Sequence, residues 1–258
     1  MQPTLKDIEN LALKAGEILR NHFGQDLQVE YKGEIDLVTE ADHRSEEYLL
    51  DEIRRRFPED IIVSEESGAF PGQPCCQWFI DPLDGTVNFA HGLPLFSVSV
   101  AYASYGDLLL GAVYDPVHDE LFSARRGQGA LRNGKSIRVS NQPELNRSLL
   151  VTGFSYDIRT NPRNNLDLFG KFSLRSQGVR RLGSAALDLC YVACGRLDGF
   201  WEISIHSWDI AAGALIASEA GAFVTKTDGS PDYLVTPCSI LAANPLIHSQ
   251  MMDVIQEP

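Results

Sequence analysis

This sequence is short of positive charge: 22 Lys and Arg stand against 35 Asp and Glu, a formal net charge of −13 over 258 residues. A general nucleic-acid binder or a protein that docks on an anionic bilayer needs clustered Lys and Arg, so both classes are excluded. Long apolar runs are missing too, and nothing approaches the ~18–20 residues of a membrane span. The opening residues Met1-Gln2-Pro3-Thr4-Leu5-Lys6-Asp7 carry no basic region followed by an apolar stretch and a cleavage site, so a cytoplasmic location is expected. Cysteine is sparse and unpaired in pattern. Cys75, Cys76, Cys190, Cys194 and Cys238 make an odd number with no C-x-x-C pairs, which removes a zinc or disulfide framework. Cys190 and Cys194, on an apolar helical stretch, read as reduced thiols in the core. What is present is 44% apolar and 22% charged residues, enough for a globular chain with a substantial core. If such a chain receives an anion, something other than side-chain charge must hold it.

The pattern along the chain is mixed α/β. A capping pair, Thr4 and Asp7, opens a helix whose apolar residues recur from Leu5 to Leu19, and Gly24 ends it. A short strand at 27–31 leads into a polar, glycine-containing segment at 32–36. A second helix spans 39–57 and is closed by Pro58. Short β-rich runs follow at 61–63, 78–80, 96–103, 108–114 and 121–124, and Asn133-Gly134 predicts a hairpin between 130–131 and 137–139. Beyond Ser148, strands near 149–152, 179–182, 199–201 and 240–243 alternate with helices at 185–194, 210–219 and 245–255. Residues 141–146 separate a part at 1–140 from one at 141–258, but no linker is long enough to divide the chain, so one domain over 1–258 is expected.

The chemistry concentrates in Trp78-Phe79-Ile80-Asp81-Pro82-Leu83-Asp84-Gly85-Thr86-Val87-Asn88-Phe89. An apolar strand runs directly into two carboxylates, a glycine and a hydroxyl. Asp81 and Asp84, on either side of a Pro-shaped turn, can converge on one point, and hard oxygen ligands suit Mg²⁺. The amides of Gly85 and Thr86 then open a helical turn, where a phosphate oxygen is favoured. Single Asp-Pro and Asp-Gly pairs are ordinary turn formers, but here they follow a buried strand as a group. Glu65-Glu66 also stands just past an apolar strand, and with Asp81 and Asp84 it reads as part of one metal cluster. Asp209, in His206-Ser207-Trp208-Asp209-Ile210-Ala211-Ala212-Gly213, is the third acid, at the start of a small-residue helix.

Together, Glu65-Glu66-Ser67, the 81–89 segment and Trp208-Asp209-Ile210-Ala211-Ala212-Gly213 with Glu219-Ala220-Gly221 resemble the signatures of the inositol monophosphatase family. Asp36-Leu37-Val38-Thr39-Glu40-Ala41-Asp42, Gly127-Gln128-Gly129-Ala130 and Gly183-Ser184-Ala185-Ala186 extend the resemblance over almost the whole chain, in the family's order. The resemblance implies a layered αβαβα sugar-phosphatase fold, with a largely antiparallel N-terminal sheet and a second, mixed sheet. It implies two to three Mg²⁺: one held by Glu65, Asp81 and the Leu83 carbonyl, a second by Asp81, Asp84 and Asp209, and a third, weaker ion reached from Glu65 through water. Asp42 and Thr86 match the pair that activates the attacking water, with Glu66 in support, and Lys32 and Asp36 would sit on a mobile segment over the metals.

The same resemblance makes the chain a phosphoric monoester hydrolase acting on a small phosphorylated polyol. A metal that lowers the pKa of water and a second that stabilises the leaving alkoxide serve both halves of an in-line displacement, and the amides of Gly85 and Thr86 add electrostatic stabilisation. Direct transfer to water is expected. The D-x-D-G-T phosphatases that use an aspartate nucleophile place their acids two apart, whereas Asp81 and Asp84 are three apart with Pro82 between. Fructose 1,6-bisphosphate, histidinol phosphate and 3′-phosphoadenosine 5′-phosphate are the alternative substrates within the family. Glu202, in a segment similar to that of the inositol-cleaving members, would accept a ring hydroxyl, Gly183, Ser184 and Ala185 would offer backbone contacts to the polyol, and Asp84 and Asp209 would also touch it. Trp201, His91 and His206 read as structural, and Arg125-Arg126 and Arg180-Arg181 as solvated strand ends. Inhibition by Li⁺ and a homodimer follow from the resemblance alone. A regulatory protein acting through partners, as some bacterial relatives do with the transcription machinery, is the reading of another class.

Overall fold

The structure is a computed structural model and describes residues 2–25, 29–31 and 37–257. Its helices are α1 (Leu5–His22), α2 (Glu40–Arg56), α3 (Thr86–Ala90), α4 (Leu166–Arg175), α5 (Ala185–Ala193), α6 (Ser207–Glu219) and α7 (His248–Gln256). The strands are β1 (Val29–Tyr31), β2 (Leu37–Thr39), β3 (Asp60–Ser64), β4 (Gly68–Phe70), β5 (Gln73–Asp84), β6 (Ser97–Ser104), β7 (Asp107–Asp115), β8 (Glu120–Arg125), β9 (Ala130–Arg132), β10 (Lys135–Ser136), β11 (Leu149–Thr152), β12 (Gly178–Arg180), β13 (Gly199–Ile205), β14 (Phe223–Thr225) and β15 (Cys238–Ala243). Strands β1 and β2 form a small antiparallel pair. The large sheet runs β10-β9-β8-β7-β6-β5-β3-β4 and is antiparallel except where β3 lies parallel to β5. The smaller sheet runs β12-β11-β13-β15-β14 and is mixed, with β11 parallel to both its neighbours.

Alternation along the strands sorts these elements into five layers. Trp78 and Ile80 of β5 point into one core with Ile8, Leu11 and Leu19 of α1 and Leu49 and Ile53 of α2, while Phe79 between them joins a second core with α5 and α6. The smaller sheet repeats the division: Phe200, Ile240 and Ala242 face α5 and α6, whereas Trp201 and Leu241 face Phe172 of α4 and Met251 of α7. The order is therefore helices, sheet, helices, sheet, helices. The expected αβαβα architecture is what the chain adopts.

Small residues let α6 lie buried on every side in the middle layer. A Cβ on Gly213 would stand 2.7 Å from the Leu189 side chain of α5, and one on Gly111 of β7 would stand 3.0 Å from the Ala212 carbonyl. Trp201 is a packing residue: its ring lies 4.2 Å from that of Phe172 and its Nε1 donates to Asn165 Oδ1 at 2.7 Å.

Several boundaries depart from the sequence-based expectation. Asn133 (φ 49°) and Gly134 (φ 74°) make the expected two-residue turn, but the returning strand is β10 at Lys135–Ser136 rather than 137–139. Helix α7 begins at His248, because Asn244 Oδ1 accepts from Leu246 N and holds residues 244–247 in a separate turn. Helix α6 begins earlier than expected, at Ser207, where the Asp209 carboxylate closes its first turn by accepting from His206 N at 2.9 Å. Helix α4 and the short strands β4 and β14 were not expected. Among the described residues, no helix is long and apolar enough to cross a membrane.

Candidate active site

The site begins where β5 breaks its pairing with β6. Asp81 lies opposite Ser99 and Asp84 opposite Ser97, so the β5 side carries one extra residue, a bulge at Pro82-Leu83. Proline suits this place because it has no N–H to lose from the ladder. The bulge is pinned from two sides: Leu83 N donates to Asp81 Oδ1 at 3.0 Å, and Ser45 Oγ of α2 donates to the Pro82 carbonyl at 2.8 Å. Gly85 follows at φ 100°, where a Cβ would meet the Leu95 carbonyl at 3.0 Å and the Gly183 carbonyl at 3.2 Å, so only glycine fits before α3.

Helix α2 supplies the frame. Asp42, Ser45 and Glu46, at i, i+3 and i+4, share one buried stripe and each fixes a different loop. Asp42 Oδ2 accepts from Thr39 N at 2.8 Å and Thr39 Oγ1 at 2.6 Å, closing the capping box that starts the helix, and its Oδ1 accepts from Thr86 Oγ1 at 3.1 Å. Thr86 Oγ1 is also 3.0 Å from the Leu83 carbonyl. Burial pushes the Asp42 carboxyl up to about 6, against the Thr39 hydrogen bonds and with the charge of Glu66. Glu46 accepts from Ser64 Oγ, from Ser67 N at 3.0 Å and from Ser67 Oγ at 2.6 Å, which fastens the turn bearing Glu65 and Glu66.

Glu65 meets Asp81 because β3 and β5 are parallel neighbours that end together: Ser64 pairs with Ile80, and Glu65 N donates to the Ile80 carbonyl at 3.3 Å. The first turn of α6 brings in Asp209 from across the middle layer, with Ser99 Oγ donating to the Trp208 carbonyl at 3.3 Å. One ligand oxygen each from Glu65, Asp81 and Asp209 lies within 4.8 Å of the others. Asp81 is 1% exposed. Burial and then the charges of Glu65, Asp84 and Asp209 hold its carboxyl well above the usual range. Three hard oxygen donors that repel one another in a buried setting fit a divalent cation such as Mg²⁺, whose charge reverses that repulsion.

Asp84 lines the same cleft as Asp81 and is in addition held by hydrogen bonds. The bulge delivers it to the start of α5, where it accepts from Ser184 Oγ at 2.5 Å, Ala186 N at 2.8 Å and Ala185 N at 3.2 Å. Burial still raises it to about 6. It thus joins the acid cluster electrostatically and α5 by hydrogen bonds.

One cleft connects these groups with the opposite wall. Glu65, Asp81, Leu83, Asp84, Gly85, Thr86 and Asp209 line it, and so do Gly183, Ser184, Ala185 and Glu202. Glu202, 7% exposed, packs so closely on Gly153 that a Cβ there would stand 2.1 Å from Oε2. Burial pushes Glu202 up to about 8, with Arg181 opposing and Asp84 reinforcing. Asp42, hydrogen-bonded to Thr86, and Glu66, whose charge reaches Asp42, are not among the residues that line the cleft. Lys32 and Asp36 lie outside the described residues. Both arginines of the 180–181 doublet are exposed, as expected, and Arg181 in addition lines the mouth of the cleft. His206 also lines it, stacked on Trp208 at 4.5 Å.

Sequence reasoning missed Glu46 and Asp188. In both cases the available signal was an acid on the apolar stripe of a helix, four residues after a residue already assigned to the site (Asp42, Ser184). Glu46→Ala should strand the Ser64 and Ser67 donors, cost about 2–3 kcal/mol and lower the melting temperature by roughly 5–10 °C for a chain of this size. Calorimetry checks this, and a melting temperature equal to wild type would remove Glu46 from the frame.

A model of the inositol monophosphatase family matches residues 1–257. A Mesorhizobium japonicum protein named inositol-1-monophosphatase is 42% identical over 250 residues, 96% of this chain and 94% of its own. A Pasteurella multocida protein named Nus factor SuhB is 42% identical over 259 residues, 99% of this chain and 97% of its own. Among solved structures, the inositol monophosphatase from Anabaena (Nostoc) sp. PCC 7120 superposes with a TM-score of 0.89 at 45% identity, covering 98% of this chain and 96% of that one.

Proposed function

Because this chain belongs to the inositol monophosphatase family, we propose that it is a Mg²⁺-dependent phosphatase that releases phosphate from inositol 1-phosphate by direct attack of water. The observation that carries the reading is a single cleft with half-buried Glu65 and Asp209 gathered around buried Asp81 in one wall and buried Glu202 in the other. Glu65, Asp81 and Asp209, with Asp84 and the Leu83 carbonyl, would hold two to three ions. Bound there, Mg²⁺ supplies a water of lowered pKa and charge stabilisation for the phosphoryl group and the leaving oxygen.

The chain's own groups complete the chemistry. The Thr86 proton is shared between Asp42 and the Leu83 carbonyl, which leaves its oxygen, in the cleft wall, as an acceptor that orients the attacking water. Asp42, raised to about 6, is poised to draw proton density through Thr86 near neutral pH, and Glu66 supports that poise. The amides of Gly85 and Thr86 face the transferring group. Glu202 accepts from a ring hydroxyl, and the Gly183-Ser184-Ala185 segment carries the polyol while holding Asp84, so the two halves of the substrate are registered to each other. An aspartyl-phosphate route is disfavoured, because Asp84 is committed to three donors on α5 and Asp81 Oδ1 accepts from Leu83 N.

A kinetic comparison on inositol 1-phosphate, fructose 1,6-bisphosphate, histidinol phosphate and 3′-phosphoadenosine 5′-phosphate tests the substrate. The highest kcat/KM is expected on inositol 1-phosphate, by about 10-fold or more, because a buried acceptor left without its hydroxyl penalises the others. A higher value on any of the other three would reassign it. The relatives named Nus factor SuhB favour a second, partner-mediated role, which would survive substitutions in the acid cluster that abolish hydrolysis.

A further inference from the structure

Helix α5 has one ionisable carboxyl along its length, and it is buried. Asp188 stands between buried Leu187 and Leu189, one turn beyond the Ser184 N-cap, at 1% exposure. Its Oδ1 is the one buried side-chain polar atom without a hydrogen-bond partner among the described residues. Three other buried acids, Asp42, Glu46 and Asp84, each take three donors from the chain. Buried acceptors are paired in the great majority, and an unpaired one lowers stability, so its presence in a cleft wall calls for a partner from outside the chain.

Asp188 lines the same cleft as Arg181 and Glu202. After burial, Asp84 and Glu202 are the charges that hold its carboxyl well above the usual range, against Arg181, so it stands beside residues assigned above to the polyol half. We propose that Asp188 is a specificity-determining residue for the polyol half of the substrate, with a substrate hydroxyl, directly or through one ordered water, as the donor to its Oδ1. This rests on the reading of the cleft as a polyol-phosphate site.

The test compares wild type, Asp188→Leu and Asp188→Asn on inositol 1-phosphate and on p-nitrophenyl phosphate, whose ring carries no hydroxyl, together with thermal melting. For Asp188→Leu, kcat/KM on inositol 1-phosphate should fall about 10-fold or more, mainly through KM, while p-nitrophenyl phosphate stays within about 2-fold. Its melting temperature should equal or exceed that of wild type, because the substitution removes an unpaired polar group. Asp188→Asn keeps an acceptor oxygen and should stay within about 3-fold of wild type on both substrates. Equal losses on both substrates with a lowered melting temperature would make Asp188 structural and overturn the proposal, as would unchanged kinetics of Asp188→Leu on inositol 1-phosphate. If wild type itself fails to hydrolyse inositol 1-phosphate, the polyol reading falls, and this proposal with it.

Discussion

Asp81→Asn should reduce kcat/KM for phosphate release by ~10³-fold or more while raising the melting temperature of the metal-free protein. The two effects have one cause. Asp81 is buried, and burial together with Glu65, Asp84 and Asp209 drives its carboxyl well above the ordinary range. Removing its charge relieves a repulsion that is worth about 1–3 kcal/mol to the metal-free fold, or roughly 2–10 °C in melting temperature. The same change takes away an oxygen ligand from the center of the cluster, so the rise in melting temperature on adding Mg²⁺ should also shrink. Steady-state kinetics and scanning calorimetry on the same preparation check this. Activity within about 10-fold of wild type, or a lower melting temperature in chelator, would contradict the assignment of the cluster.

Chelated protein should lose stability as pH rises from about 4 to about 8, the reverse of what paired surface carboxylates produce. Asp42 and Asp84 are raised from 3.8 to about 6 and Glu202 from 4.5 to about 8, in each case first by burial. Between the unfolded and folded values of each group the native state binds more protons than the unfolded state, so ΔG of unfolding falls with pH. The contribution is fully present below about 4 and gone above about 8. Each raise of two pKa units is worth about 3 kcal/mol, so with three such groups a fall in melting temperature of at least roughly 10 °C is expected across the window. Mg²⁺ should offset it, and more at pH 8 than at pH 5, because ion binding requires deprotonated ligands. Melting curves with chelator and with Mg²⁺ at both pH values decide the matter. A melting temperature in chelator that climbs with pH would contradict the picture of mutually repelling buried acids.

The parts of this site legible in the sequence are those made by consecutive residues. Asp81-Pro82-Leu83-Asp84-Gly85-Thr86 announces a strand that breaks into a ligand-bearing turn, and the bulge and the left-handed Gly85 are its direct consequence. Glu65 was recognisable as an acid past a strand, but its meeting with Asp81 depends on β3 and β5 being parallel neighbours, which spacing does not reveal. Asp84 shows the limit more sharply: three residues from Asp81, it is turned by the bulge towards amides of α5 that lie about a hundred positions along the chain. Asp188 escaped notice, and Arg181 was read without its place beside the cleft, because their relation to the cleft is wholly tertiary. Helix α4 escaped because its apolar pattern is diluted: Leu166 is 52% exposed and Leu174 90% exposed, leaving Phe172 as its one buried residue. Strand β14 is three residues long and begins with an exposed Phe223, so its place in the sheet comes from pairing with β15 rather than from its own pattern.

On the proposed reading, the scarcity of positive charge is reconciled with an anionic substrate at the cluster, where the acids would concentrate the cation that receives the anion. Phosphate release from inositol 1-phosphate by the wild-type protein, followed before chelation, after chelation and after Mg²⁺ is restored, tests that claim most directly. Release should stop on chelation and return with Mg²⁺. Release that continues undiminished in chelator, or that never appears with Mg²⁺ present, would contradict it.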